Sequence, residues 1–331
     1  MRAISIQETG PPSVLRVRDV DDPRPLAGQA LVRVAAAGVN FADVVMRRGQ
    51  IPSELPMVPG VEGAGVVEAL GEGVAGLTVG DRVAWAPVLG GGAIVGSYGE
   101  LEAVAAEALL PVPDEISLET AAAVTLQGLT AHYLVHDKKA IEPGTNVLVH
   151  AAAGGMGLLL CGWLRRLGAR VIGTVSTETK AGLAREAGAH ETVLYNDEDF
   201  VERALAFTDG AGLDYVIDGV GKTTFRKNLA CMASQGHICL YGMASGPPDP
   251  ISPLELLPKA LCVSGGMMTN FLRSRDEVLR KGAEVFDGVR AGWLMPPQIT
   301  VFPLEQAERA HEQLEGRASA GKLVLKVSDA V

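Results

Sequence analysis

Positive charge is in short supply in this 331-residue sequence: 29 Lys and Arg stand against 39 Asp and Glu, a formal net charge of −10. No excess of cations is left to neutralise a phosphate backbone, which argues against a nucleic-acid partner while leaving room for a small basic pocket. Cysteine is scarce too. Cys161, Cys231, Cys239 and Cys262 are scattered, with neither C-x-x-C spacing nor a neighbouring His cluster. They read as small buried hydrophobes in a reducing compartment. No apolar run reaches the ~20 residues of a membrane span without Gly or charge. The opening Met1-Arg2-Ala3-Ile4-Ser5-Ile6 alternates like a strand and has no secretory apolar core. Internal repeats and low-complexity segments are missing as well. The expectation is a cytoplasmic protein that engages neither membrane nor nucleic acid.

What is present is ordinary globular composition, with 47% hydrophobic and 21% charged residues, in a chain long enough for two domains. The most informative segment is Val147-Leu148-Val149-His150-Ala151-Ala152-Ala153-Gly154-Gly155-Met156-Gly157. An apolar run enters a Gly-rich turn and leaves into a helix, which brings amide N–H groups and the positive end of a helix dipole to a pyrophosphate. The same spacing also serves a close strand-to-helix crossing that needs glycine for packing alone. From residue 146 onward, apolar runs at 147–149, 171–175, 192–195, 215–218, 238–241 and 261–263 alternate with helix-length segments at 158–167, 179–187, 200–207 and 224–232. Gly168 and Gly188 stand where helix C-termini are expected. That rhythm predicts a doubly wound parallel sheet with its ligand at the carboxyl ends of the strands.

The first ~120 residues lack helical period and are punctuated by Pro and Gly, which predicts an irregular β-barrel. A helix at 273–289 and a strand near 321–325 close the chain. The economical organisation is α/β with two domains: an irregular β-barrel built from residues 1–122 and 269–331, and an inserted dinucleotide domain over 123–268.

In NAD-selective sheets an acidic residue ends the second strand and bonds both ribose hydroxyls. Here that place is taken by Val175, followed by Ser176 and, four residues on, Lys180. A hydroxyl donor and an ammonium suit a 2′-phosphate, so NADP(H) is favoured. The alternative is that Lys180 is a solvated helix residue and Glu178 supplies the carboxylate. Tyr195, at the end of the third strand, can close the same pocket or simply be half-buried packing.

Five segments together resemble the medium-chain dehydrogenase/reductase superfamily, and within it the zinc-free quinone oxidoreductases. They are Gly38-Val39-Asn40-Phe41-Ala42-Asp43, Pro59-Gly60-Val61-Glu62-Gly63-Ala64-Gly65-Val66-Val67, Gly80-Asp81-Arg82-Val83, Gln127-Gly128-Leu129-Thr130-Ala131-His132-Tyr133 and the 151–157 turn. The resemblance runs nearly end to end and implies a GroES-like barrel with a Rossmann domain. Where the superfamily's alcohol dehydrogenases place a Cys and a His on a catalytic zinc, this sequence matches Asn40 and Val61. Residues 89–99 contain none of the four Cys of the structural zinc lobe. Neither an amide nor a valine is a zinc ligand, so no metal is expected.

The resemblance further implies hydride transfer from NADPH to an acceptor that is already electrophilic, a quinone or, as the alternative, the C=C bond of an enone, alkenal or enoyl thioester. It implies that Asn40 and Thr130 flank the nicotinamide, or else that Asn40 caps a turn and Thr130 bonds its own helix backbone, with Asp43 orienting substrate or relaying a proton, or else fixing its loop. It assigns Gly154, Gly155, Met156 and Gly157 to the pyrophosphate, Ser176, Lys180 and Tyr195 to the adenosine phosphate, and further cofactor contacts to Gln127, Tyr241, Gly242, Met267 and Thr269. Arg317 matches an Arg that reaches the 2′-phosphate in this family, or else is a solvated surface residue. Two departures concern the acceptor: aromatic positions of the family fall on Val45 and Ile51. Ile51 cannot donate the proton that the enoyl-thioester branch takes from a Tyr. Family members commonly dimerise, and the sixth strand near 261–263 is the candidate edge. A role as a non-catalytic NADPH-binding protein is the remaining, weaker reading.

Overall fold

The computed structural model describes residues 1–88, 96–316 and 321–329. The chain divides into two compact units: Met1–Leu129 with Thr269–Arg290 and Pro296–Val331, and Thr130–Met268 with Ala291–Met295. The first junction falls between Leu129 and Thr130, inside the helix Leu118–His136; the sequence reading set it at 122/123, in the same helix. This helix is buried at 118, 121–125 and 128–135. Burial on nearly every side removes the amphipathic period that would have announced it.

In the second unit six strands form an all-parallel sheet. Their spatial order is Glu191–Leu194, Arg170–Val175, Asn146–Val149, Leu213–Asp218, Met232–Leu240, Cys262–Gly265. In chain order this is 3-2-1-4-5-6, so the connections reverse direction between the first and fourth strands, where a crevice opens at the carboxyl ends. Both faces are covered, which is why these strands read as apolar runs. Leu148, Ile172, Val193, Val216 and Ile238 pack with Phe200, Ala204, Phe207 and Phe225 in one buried cluster. Helices Gly155–Arg166, Glu178–Ala187 and Phe200–Phe207 follow the first three strands. Gly168 at φ +80° and Gly188 at φ +133° end two of them, as glycine does at helix C-termini.

The segment expected as a helix over 224–232 is shorter. Only Phe225–Asn228 is α-helical, a 3₁₀ turn covers Leu229–Cys231, and Met232 opens the fifth strand. Asn228 is drawn inward by buried polar partners described below. Cys161, Cys231 and Cys239 are buried as expected, but Cys262 is exposed because it lies on the edge strand, with no neighbour on one side.

The first unit holds a seven-stranded, mostly antiparallel sheet. Its backbone is the long strand Gln29–Gly38, which pairs with Gly63–Leu70 along one edge. Its other edge is shared: Leu101–Ala105 takes residues 29–33 and Lys322–Lys326 takes residues 36–38. Register shifts between Leu31 and Val32 and between Val34 and Ala36 bend this strand. Ile299–Pro303 adds in parallel to Lys322–Lys326, so both ends of the sequence build one sheet. Short helices at Phe41–Arg47 and Ala307–Glu315, unannounced by the sequence, pack in the same unit. No helix of the described residues is long and apolar enough to cross a membrane.

Among the strands, Glu102 is buried, and one of its carboxyl oxygens accepts the Trp85 indole N–H at 3.0 Å. Burial pushes this carboxyl up to about 8, the Trp85 bond opposing. The folded chain thus keeps a proton that the unfolded chain releases near 4.5. The resulting stabilisation is complete below that pH and is lost as pH rises towards about 8. Chemical denaturation of wild type and Glu102→Gln across that range should show wild type falling progressively behind. A constant gap between the two would refute the assignment.

Candidate functional site

The first strand ends at Val149 and is followed by His150 and Ala151; Ala151 adopts φ +53°, a left-handed conformation uncommon for a residue with a Cβ. Its carbonyl accepts the Gly154 N–H at 2.9 Å, and the Ala152 N–H reaches the Thr174 carbonyl at 3.0 Å. The helix that follows is drawn close against this turn. A Cβ on Gly157 would lie 2.4 Å from the Ala151 carbonyl oxygen and 2.5 Å from Ala152 Cα. Gly154 forms the N-cap and places no side chain over the helix end. The first-turn amides of Gly155, Met156 and Gly157 have no intrahelical acceptor. Backbone donors, a helix dipole and glycines at 154, 155 and 157 fit a diphosphate group.

At the end of the second strand Val175 is buried, Ser176 half-buried, and Thr177 caps the next helix by accepting the Lys180 N–H at 3.3 Å. Lys180 is half-buried on the first turn of that helix. Glu178 is exposed and pairs with Arg185, so its carboxylate is engaged along its own helix. Tyr195 is 47% exposed at the end of the third strand. The Asn196 side chain donates to the Ser176 carbonyl at 3.1 Å, tying the two strand ends together. Ser176 and Tyr195 therefore end neighbouring strands at the same edge of the sheet as the Gly-rich turn.

On the other side of the crevice Tyr241 follows the fifth strand. Its N–H reaches the Asp218 carbonyl at 3.0 Å, and its ring lies over Gly219, where a Cβ would meet it at 2.6 Å. Gly242 comes next, half-buried. Thr130 Oγ1 donates to Met268 Sδ at 3.5 Å, while Met267 is exposed. Arg317 lies outside the described residues.

The first unit carries Asn40, Asp43, Gln127 and Thr269. Asn40 is buried and its side chain is fully engaged. Oδ1 accepts from the Lys322 ammonium at 2.6 Å, and Nδ2 donates to Glu62 Oε2 at 3.0 Å and to the Gly38 carbonyl at 3.2 Å. Lys322 also donates to Glu62 at 2.7 Å, an ion pair with both side chains essentially inaccessible. Asp43 is fully buried. It accepts from the Asn40 and Val61 amides at 2.8 and 3.1 Å and from the Tyr98 hydroxyl at 3.3 Å. Burial pushes its carboxyl up to about 7, opposed by those donors and by Lys322. Asp43 thus ties its loop to Val61 and Tyr98 and has no exposed surface. Behind it Tyr98 lies 3.1 Å from His311 Nε2, and burial with the Arg47 guanidinium pushes His311 down to about 3. Gln127 Oε1 is buried without a hydrogen-bond partner, an acceptor left for a ligand N–H. Thr269 is half-buried.

Sequence reasoning gave no role to Glu62, Lys322, Tyr98, His311 or His150. A signal existed for two of them: Lys322 heads an apolar terminal strand and Glu62 interrupts an apolar Gly-rich run. The others are joined only by the fold.

Residues 26–114 match the model of the alcohol dehydrogenase GroES-like domain, and residues 155–284 that of the zinc-binding dehydrogenase. The chain is 40% identical to a 2-haloacrylate reductase of Burkholderia sp, covering 98% of each protein. It is 39% identical to a quinone oxidoreductase of Pseudomonas aeruginosa, covering 98% of this chain and 99% of that protein. Escherichia coli quinone oxidoreductase, in a crystal structure complexed with NADPH, superposes with a TM-score of 0.94 at 34% identity, over 98% of this chain and 100% of that one.

The buried ion pair makes a direct prediction. Lys322→Met leaves the Glu62 carboxylate without its counter-charge and should cost about 3–5 kcal/mol in denaturant unfolding. Combining it with Glu62→Leu should recover most of that loss. A single variant of wild-type stability would show that the pair is not formed.

Proposed function

Because this chain belongs to the quinone oxidoreductases of the medium-chain dehydrogenase/reductase superfamily, we propose that it is an NADPH-dependent oxidoreductase reducing a quinone without a metal ion. The observation that carries the reading is the 151–157 turn, a glycine-rich set of backbone donors beside a strand end that lacks an acidic residue. When bound, NADPH supplies the hydride. The chain's own residues bind and orient. Gly154, Gly155, Met156 and Gly157 take the pyrophosphate, and Ser176, Lys180 and Tyr195 take the adenosine phosphate. Glu178, engaged with Arg185, does not compete for the ribose. Thr130, Tyr241, Gly242 and Met267 are further cofactor contacts, and Gln127 and Thr269 are assigned with them on resemblance. Asn40 and Asp43 position their loop.

Independence from zinc rests on the donor set. Asn40 Oδ1 already accepts from an ammonium, Lys322, and Val61 offers no donor. A second cation beside Lys322 would meet like charge.

A second reading has specific support: the 40% identical relative is a 2-haloacrylate reductase, a protein named for an activated alkene. Reduction of a conjugated C=C bond needs a proton as well as a hydride. So does reduction of a quinone to its hydroquinone; Ile51 lacks the proton that the enoyl-thioester branch takes from a Tyr, which counts against the thioester version alone. We assign self-association to the edge strand Cys262–Gly265, preceded by exposed Leu254 and Leu257. The buried thiols of Cys161, Cys231 and Cys239 fit a reducing cytoplasm.

NADPH oxidation with ortho- and para-quinones in EDTA tests the activity: turnover is expected, and a requirement for added zinc would contradict it. A parallel assay with a 2-haloacrylate or 2-alkenal separates the second reading. Lys180→Glu should raise the NADPH dissociation constant by at least about tenfold while leaving NADH binding nearly unchanged. Equal losses for both cofactors would remove Lys180 from the phosphate site.

A further inference from the structure

Behind the Gly-rich turn lies a buried chain of side chains that the cofactor assignments do not use. Thr174 Oγ1 accepts the Ala151 N–H at 3.2 Å and lies 3.0 Å from His150 Nδ1. His150 Nε2 lies 2.8 Å from Asn228 Oδ1, and Asn228 Nδ2 donates to Asp218 Oδ2 at 2.8 Å. Asp218 also accepts from Thr224 Oγ1 at 2.7 Å and from the amides of Val220 and Gly221 at 2.7 and 3.0 Å. His150, Thr174, Asn228 and Asp218 are all buried.

The polarity of this chain follows from its end. A carboxylate only accepts, so the Asn228 amide presents its nitrogen to Asp218 and its oxygen to His150. That oxygen needs a donor, which fixes the proton of His150 on Nε2 and leaves Nδ1 an acceptor. Nδ1 then takes the Thr174 hydroxyl proton, and Thr174 Oγ1 stays open to accept from Ala151. Every donor points the same way, from the turn towards Asp218.

We infer that His150 is a positioning residue for cofactor binding: its Nε2–H tautomer, set by Asn228 and Asp218, orients the Thr174 hydroxyl that holds Ala151 in its left-handed conformation and so shapes the pyrophosphate turn. The chain joins the ends of the second, first and fourth strands, which are the strands at the reversal of the sheet order. The His150 backbone N–H adds a bond to the Ile217 carbonyl at 3.3 Å. Phe200 packs edge-on against the imidazole at 4.9 Å between centroids, and burial pushes His150 below its ordinary value, Asp218 opposing. This inference rests on the reading of the turn as a pyrophosphate site.

Two experiments test it. Nitrogen-15 NMR of His150 in the cofactor-free protein should show a neutral ring protonated at Nε2, with no titration between about pH 5 and 8. A ring protonated at Nδ1, or titrating near 6.5, overturns the inference whatever the cofactor does. In the second, His150→Phe should weaken NADPH and NADH alike by about tenfold or more, because both carry the pyrophosphate. His150→Asn, which can place an acceptor where Nδ1 lies, should bind more tightly than His150→Gln, which can replace only the Nε2 donor. A His150→Phe protein that melts at lower temperature yet binds both cofactors as wild type does would show a structural role only. Wild type that binds neither cofactor would overturn the underlying reading and this inference's binding role, while the NMR result still decides the tautomer.

Discussion

The second unit depends on how closely one helix can approach one strand end. Ala151 and Ala152 lie against Gly157 at a separation that no side chain allows. That contact brings the N-terminal turn of Gly155–Arg166 to the carboxyl end of the sheet. The parallel order 3-2-1-4-5-6 supplies the crevice. The turn decides what the crevice presents, namely amide donors and a helix dipole instead of side chains. The polar chain from Thr174 to Asp218 ends on the N–H of Ala151, whose backbone is left-handed, so binding geometry and buried hydrogen bonding are one problem.

A different constraint governs the first unit. Its loop at Gly38–Asp43 is tied down from within, by the Lys322–Glu62 ion pair around the Asn40 amide and by Asp43 on two backbone N–H groups. Burying an ion pair is costly unless its remaining valences are met. Here Glu62 also accepts the Leu126 N–H at 2.6 Å. The ammonium is thus built into a loop whose superfamily resemblance would otherwise suggest a metal ligand, and charge at this place comes from the chain itself.

Much of this was legible in the sequence. Strand and helix alternation after residue 146 gave the parallel sheet because doubly covered strands are apolar and their helices end at Gly168 and Gly188. The turn was legible because Gly157 is required by a contact between residues close in sequence. Val175 at the end of the second strand and Lys180 on the first turn of the next helix were placed from neighbouring residues in the same way. By contrast, the partners of Asn40 were not legible: its amide is engaged by Lys322, 282 positions away. The partners of Asp43, among them Tyr98 and beyond it His311, are likewise remote. Long-range buried polar contacts leave no periodic trace in a sequence. The helix Leu118–His136 was missed for a related reason, since a segment buried all round has no polar face to mark its period.

The central claim is that the turn and the second strand end together hold a 2′-phosphorylated dinucleotide. Equilibrium titration of the wild-type protein with NADPH and NADH, in chelator and at one ionic strength, tests it most directly. NADPH should bind more tightly than NADH by at least about tenfold, and the preference should shrink as salt screens the phosphate contact. Equal affinities, or a preference for NADH, would contradict the account.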